Sequence, residues 1–149
     1  MAQRILIMGL PGAGKTTLAE ALRDRLWQLG RTVTWLNADA VRQQHNDWDF
    51  SQEGRIRQSQ RMRESADTAT TDYVIADFVA PLNAMRSKFD ADWTVWVDTI
   101  KESRFADTDV MFIPPTSFEY DFRVTEQAAD QWSEVIAEGI ATKTELGVQ

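Results

Sequence analysis

Short apolar runs recur along the chain, and between them apolar positions return every three or four residues. RILIM at Arg4–Met8, TVTWLN at Thr32–Asn37, YVIADF at Tyr73–Phe78 and TVWVD at Thr94–Asp98 are too short for helices. Because they are apolar almost throughout, they predict strands covered on both faces. FRV at Phe122–Val124 predicts an edge strand. Helical spacing predicts one helix over Lys15–Leu29, stopped by Gly30. A second runs from a capping Ser51 to about Thr71, with Ile56, Met62, Ala66 and Ala69 on one face. A short helix over Ala84–Lys88 and a closing helix over Glu126–Gly139 complete the set. Lys101–Asp121 follows no clear period, and Phe112, Ile113, Pro114 and Pro115 predict an irregular or extended path there. Strands buried on both sides and alternating with helices imply a three-layer α/β fold, with a parallel central sheet and helices on both faces.

A chain of 149 residues without repeat or linker is expected to form a single domain over 1–149. The absence of cysteine excludes disulfides, thiolate catalysis and cysteine-held metal, and His45 is the single histidine, so any metal is expected on oxygen ligands. No apolar run approaches the roughly 20 residues of a membrane span, and no leader pattern opens the chain. The expectation is a soluble, cytoplasmic protein with no membrane partner. A formal charge of -7, from 23 acidic and 16 basic residues, disfavours nucleic acid as a general partner. Arg42, Arg55, Arg57, Arg61 and Arg63 reverse that charge locally. Two roles are open for them: a bidentate clamp on an anion, or a solvated helix laced by the i, i+4 pairs Glu53–Arg57 and Arg63–Asp67.

The chemistry begins at GLPGAGKTT, Gly9–Thr17, between the first strand and the first helix. It fits G-x-x-x-x-G-K-[ST] at Gly9, Gly14, Lys15 and Thr16, and the strand–loop–helix context gives the pattern its meaning. The fold expectation therefore narrows to a three-layer P-loop NTPase fold. Gly9, Pro11, Gly12, Ala13 and Gly14 would form the loop around phosphate, with backbone N–H groups brought close by the glycines and the start of the helix behind them. Lys15 would reach the β and γ phosphates, Thr16 would present its hydroxyl to Mg²⁺, and Thr17 would add a phosphate contact. ATP and Mg²⁺ are thus the expected cofactors. Three acids stand at predicted strand ends, where open α/β sheets hold ligands. Asp39 reads as acceptor of a hydroxyl proton or holder of metal-linked water, or else as a cap for the turn Ala40–Gln44. Asp77 reads as a Walker B-type carboxylate, and Asp98 as structural. Trp27, Trp35, Trp93 and Trp96 read as core or partly exposed anchors, while Trp48 and Phe50 lie in a loop where a flat base can stack.

The same loop, followed by NADAVR at Asn37–Arg42, FSQEGR at Phe50–Arg55 and FVAP at Phe78–Pro81, resembles the adenylylsulfate kinase family in motif order and spacing over about the first hundred residues. The resemblance implies transfer of the γ-phosphoryl of ATP to the 3′-hydroxyl of adenylyl sulfate, a small anionic acceptor. In those terms Asp39 matches the last acid of a D-G-D motif and Arg42 and Arg55 match acceptor-binding arginines, with Gln58 where an asparagine is usual. Phe50 and Phe78 match residues around the acceptor adenine. The chain departs from the pattern at Asn37 and Ala38, and after Asp98 a basic lid is replaced by TIKESRFADTDVMFIPP, which leaves Lys101 and Arg104 as its cations. Arg104 would be a short lid arginine over the nucleotide. A homodimer is compatible with the resemblance. A P-loop kinase for another small metabolite or a polynucleotide 5′ end, and a non-catalytic nucleotide-binding module, stand as alternatives.

Overall fold

The computed structural model describes residues 1–146, so the last three residues of the expected 1–149 domain lie outside the described residues. The elements in chain order are β1 (Gln3–Met8), α1 (Lys15–Gln28), β2 (Val33–Asn37), α2 (Ala38–His45), α3 (Gln52–Asp67), β3 (Tyr73–Asp77), α4 (Asn83–Phe89), β4 (Trp93–Val97), α5 (Ala106–Met111), β5 (Phe122–Val124) and α6 (Ala129–Glu145). The strands form one sheet in the order β2-β3-β1-β4-β5, every pair parallel.

The apolar runs are buried on both sides because the pleat sends alternate residues to two separate cores. Ile5 and Ile7 of β1 join Leu18, Leu22 and Leu26 of α1 and Ile136 and Ile140 of α6 on one face. Leu6 and Met8 join Met62 and Ala66 of α3 and Met85 and Phe89 of α4 on the other. The three-layer arrangement expected from the pattern is thus the observed one. β1 lies between β3 and β4, so the chain leaves β1 at the point where the connections diverge. Crevices at such a point, beyond the carboxyl ends of the strands, are where these sheets hold ligands.

Four expectations are corrected. The segment expected to be irregular contains α5, whose first turn carries Asp107 and Asp109; acids there favour the positive helix end, and six residues are too few to show a period. Asp109 also receives the backbone N–H and hydroxyl of Ser103, at 2.9 and 2.6 Å. The closing helix is Ala129–Glu145 rather than Glu126–Gly139. Gly139 lies within it instead of ending it, because a Cβ there would stand 3.2 Å from the Phe122 ring. Ser51 caps α3 by accepting the Gly54 N–H, but the helix ends at Asp67 rather than near Thr71. Finally, α2 is capped by Asn37, whose Oδ1 accepts the Ala40 N–H at 3.1 Å, and not by Asp39.

Candidate active site

The loop from Gly9 to Gly14 connects the end of β1 to α1 and passes so close to β4 that a Cβ on Gly9 would lie 2.5 Å from the Val97 carbonyl oxygen. Gly14, at φ 104, turns the chain into α1 through a conformation that costs a side-chain-bearing residue free energy. α1 has no side-chain cap and no acid in its first turn. Its leading N–H groups and the positive end of its dipole are therefore available to an anion.

Lys15 folds back in this arrangement, its Nζ donating to the Leu10 carbonyl at 2.9 Å. Burial pushes its ammonium down to about 8, with the charges of Asp77 and Asp39 opposing the shift. The Thr16 hydroxyl donates to Oδ2 of Asp77 at 2.9 Å, although 61 positions separate them, because β1 and β3 are parallel neighbours in register. Oδ1 of Asp77 accepts the Trp35 indole N–H at 3.0 Å. Burial raises the Asp77 pKa, opposed by hydrogen bonds from Trp35 and Thr16 and by the charge of Lys15. Asp39 is exposed in the first turn of α2 and lines the same cavity.

That cavity, about 480 Å³, runs from Pro11, Gly12 and Lys15 of the loop to Arg42 on α2, Arg55 and Gln58 on α3, and Phe78 after β3. Arg42 and Arg55 are only 4% and 8% exposed. Arg42 donates to the carbonyls of Asp47 and Asp49 at 3.1 and 3.2 Å. Arg55 donates to the Phe50 carbonyl at 3.0 Å and to Thr108 Oγ1 at 2.8 Å. Neither takes the neighbouring carboxylates, which are held by Arg57 and Arg61. Burial lowers the pKa of both guanidiniums, opposed at Arg42 by the charges of Asp47, Asp39 and Asp49 and at Arg55 by that of Asp107. The two roles open for the arginine segment thus divide between residues. Arg42 and Arg55 face the cavity, Arg63 pairs with Asp67 as expected, and Arg57 pairs with Asp47 and Asp49 rather than with Glu53.

The aromatic expectations divide as well. Phe50 is half-exposed at the cavity, with the Arg42 and Arg55 guanidiniums 4.3 and 5.3 Å from its ring centre. Trp48 stands 6.5 Å from Phe50 and is not part of the lining. Phe78 is nearly buried, edge-on to Phe89, with one margin at the cavity. Gln58 donates to the Ala38 carbonyl and accepts from Arg61. Arg104, expected over the nucleotide, lines this larger cavity together with Phe105, Asp107 and Thr108, which the sequence did not single out. Asp98 holds Arg123 at 2.6 Å, the structural role expected of it.

On the other side of the loop a smaller cavity of about 190 Å³ is lined by Gly14, Thr17, Thr99, Glu126 and Gln127 among others. Thr99 donates to the Ala13 carbonyl at 2.6 Å, and Gln127 approaches the carbonyls of Gly12 and Ala13 at 3.4 Å. Thr99 and Gln127 carry no local motif, and only the adjacency of β4 and β5 brings them to the loop. Ala13, Gly14 and Thr17 line this side and Pro11, Gly12, Lys15 and Thr16 the other, so the loop lies between the two cavities.

The family model for adenylylsulphate kinase matches residues 1–102. A probable adenylyl-sulfate kinase of Pseudomonas aeruginosa is 32% identical over 98 residues, covering 64% of this chain and 46% of that protein. The chain spans less than half the length of the curated relatives it matches. Among solved structures, the APS kinase CysC of Mycobacterium tuberculosis, determined in complex with AMPPNP and APS, superposes with TM-score 0.76 over 94% of this chain and 98% of that one at 18% identity. A hexameric APS kinase from Thiobacillus denitrificans gives TM-score 0.70 at 26% identity, over 96% of this chain and 29% of that one. The matched residues 1–102 contain the phosphate loop, Asp39, Arg42, Arg55 and Asp77, and on that match the chain belongs to the adenylylsulphate kinase family.

Proposed function

We propose that residues 1–149 act as one cytoplasmic P-loop kinase domain that transfers the γ-phosphoryl of ATP to the 3′-hydroxyl of adenylyl sulfate. The observation that carries this reading is the pair of nearly buried arginines, Arg42 and Arg55, facing one cavity with Lys15 and left without a carboxylate partner. Both guanidiniums are held by neutral oxygens and touch no carboxylate, so an acceptor bearing sulfate and phosphate would supply the opposite charge on binding.

In this mechanism the loop N–H groups and the start of α1 hold the β and γ phosphates, and Lys15 leaves the Leu10 carbonyl to lie against them. The Thr16 hydroxyl and the carboxylates of Asp77 and Asp39 are hard oxygen donors of the kind Mg²⁺ accepts. Phosphate and water oxygens would complete the shell around these few protein oxygens. Mg²⁺, when bound, supplies charge neutralisation at the transferring phosphoryl group. Asp39 receives the proton of the attacking hydroxyl. Arg42 and Arg55, with Gln58 behind them, hold the acceptor's anionic groups, and Phe50 and Phe78 flank its base. The smaller cavity beside Thr17 takes the base and sugar of ATP, and Arg104 reaches in from the segment before α5 to cover the transferring group.

Two expected results follow from this assignment. Arg42→Lys and Arg55→Lys should each raise the KM for adenylyl sulfate by about tenfold or more while the KM for ATP stays within about twofold, since an ammonium cannot reproduce a guanidinium fork. Equal effects on both substrates would return these arginines to holding the loop at Asp47–Phe50. The second concerns pH. Phosphate beside Lys15 favours its charged form, so metal-free ATP should bind with proton uptake above about pH 8, and its affinity should fall as pH rises through that value. The folded-state pKa lies below the unfolded 10.5, so the unfolded chain binds more protons between about 8 and 10.5, and this group makes stability rise with pH across that window. Calorimetry at pH 9 in two buffers of different ionisation enthalpy measures the uptake.

The function itself is tested by ADP release with adenylyl sulfate, nucleosides, sugar acids and 5′-hydroxyl oligonucleotides as acceptors. Stimulation by adenylyl sulfate above the others is expected. Stimulation by another acceptor alone moves the assignment to a different kinase, and ATP binding without any stimulation leaves a non-catalytic nucleotide-binding module.

A further inference from the structure

Trp35 stands in β2 opposite Ile75 of β3, and Asn37 stands opposite Asp77. Trp35 and Asp77 therefore project from the same face of the sheet as diagonal neighbours, a separation that a long aromatic side chain spans. Its indole N–H meets Oδ1 of Asp77 at 3.0 Å while the Thr16 hydroxyl meets Oδ2 at 2.9 Å. Asp77 is 4% exposed, so each carboxylate oxygen is committed to one donor and water has little access to either.

The indole is held from outside as well. The Arg23 guanidinium lies 5.4 Å from the Trp35 ring centre and 5.0 Å from that of Trp27, and the inner part of Trp35 packs against the core formed by β1, α1 and α6. A cation stacked over one face and a core beneath leave the N–H a single direction. Packing alone would accept any large apolar ring at this place; it does not require an N–H aimed at a carboxylate.

We propose that Trp35 is a positioning residue for Asp77: its indole N–H fixes the carboxylate plane so that Oδ2 faces the Thr16 hydroxyl, where the metal that accompanies ATP is held. The inference rests on the assignment of Asp77 and Thr16 to that metal. If the N–H were removed, Oδ1 would lose its donor and the carboxylate would be free to rotate away from Thr16. The phosphate loop, which makes no contact with Trp35 through this bond, would keep its shape.

The test compares the affinity of a non-hydrolysable ATP analogue in Mg²⁺ and in EDTA. Trp35→Phe keeps a ring between Arg23 and the core and removes the donor together with part of the indole's bulk. Its affinity in EDTA should stay within about twofold of the parent, and its affinity in Mg²⁺ should fall by about tenfold, the order expected for losing one hydrogen bond to a buried charge. In an Asp77→Asn background, where the Mg²⁺ advantage is already lost, adding Trp35→Phe should change nothing further. Arg23→Gln, at a partly exposed site, should loosen the ring and give a smaller fall in the same ratio, and it carries the test if Trp35→Phe fails to fold. Equal weakening in Mg²⁺ and EDTA, the same loss on top of Asp77→Asn, or an unchanged ratio in every foldable Trp35 and Arg23 variant would overturn the positioning role. If Asp77→Asn alone keeps the full Mg²⁺ advantage, the assignment of Asp77 fails first and the inference falls with it.

Discussion

Lys15→Ala is expected to abolish measurable turnover, a loss on the order of 10³-fold or more, because the ammonium is needed where transition-state charge gathers on the γ-phosphoryl oxygens. ATP affinity should fall as well, since the β and γ phosphates lose their one lysine. The fold should survive and gain slightly in stability. The parent ammonium sits against the Leu10 carbonyl at a place where burial disfavours its charge. Its removal takes away that burden and a single hydrogen bond to Leu10. Turnover, calorimetric titration with Mg-ATP and a thermal melt separate the three statements. An unchanged affinity for Mg-ATP would contradict the placement of Lys15 on phosphate, and a collapsed fold would show that the lysine serves the loop's structure instead.

Asp39→Asn should lower kcat by on the order of 10²-fold or more and cost much less in ATP affinity, because the residue is assigned to the attacking hydroxyl and to metal-linked water rather than to ATP itself. The structure sharpens this prediction. If Asp39 capped α2, its replacement by Asn, itself a good cap, would be silent in every assay. Asn37 caps that helix, and Asp39 stands exposed in the first turn at the cavity. The melt should therefore be unaffected while kcat falls. A variant with normal kcat would remove Asp39 from the reaction and leave its carboxylate as a favourable charge at a helix start.

What was legible in the sequence was what local chemistry enforces. The phosphate loop needs glycines, a lysine and a threonine at fixed spacing, so Gly9–Thr17 announced its shape and position between β1 and α1. Strands buried on two faces, as at Ile5–Met8 and Tyr73–Asp77, announced the layers. Asp77 was legible as a carboxylate at a strand end, but its partner Thr16 became visible only once β1 and β3 were paired in register. The same holds for Trp35, whose indole N–H is a property no apolar pattern distinguishes from a core ring. α5 was missed because a six-residue helix shows too little of its period, and with it Phe105, Asp107 and Thr108 at the mouth of the cavity. The closing helix was expected to end at Gly139; the glycine instead lies inside it, where a Cβ would press on the Phe122 ring at 3.2 Å. For Thr16 with Asp77, Trp35 with Asp77 and Gly139 with Phe122 the deciding contact was long-range, and the chain carried no local trace of it.

The chain belongs to the adenylylsulphate kinase family, while its segment between Asp98 and Phe122 is built differently from the basic lid that the family pattern leads one to expect. Arg104 and the start of α5 stand there instead. The most direct test of the central claim is therefore transfer itself: ATP labelled at the γ-phosphoryl, Mg²⁺ and adenylyl sulfate are mixed with enzyme, and the labelled product is isolated and its phosphorylated position determined. The account predicts label on the 3′-hydroxyl of adenylyl sulfate, formed by the parent and absent with Lys15→Ala. Label appearing only as inorganic phosphate, or on no acceptor while ATP binds normally, would contradict it.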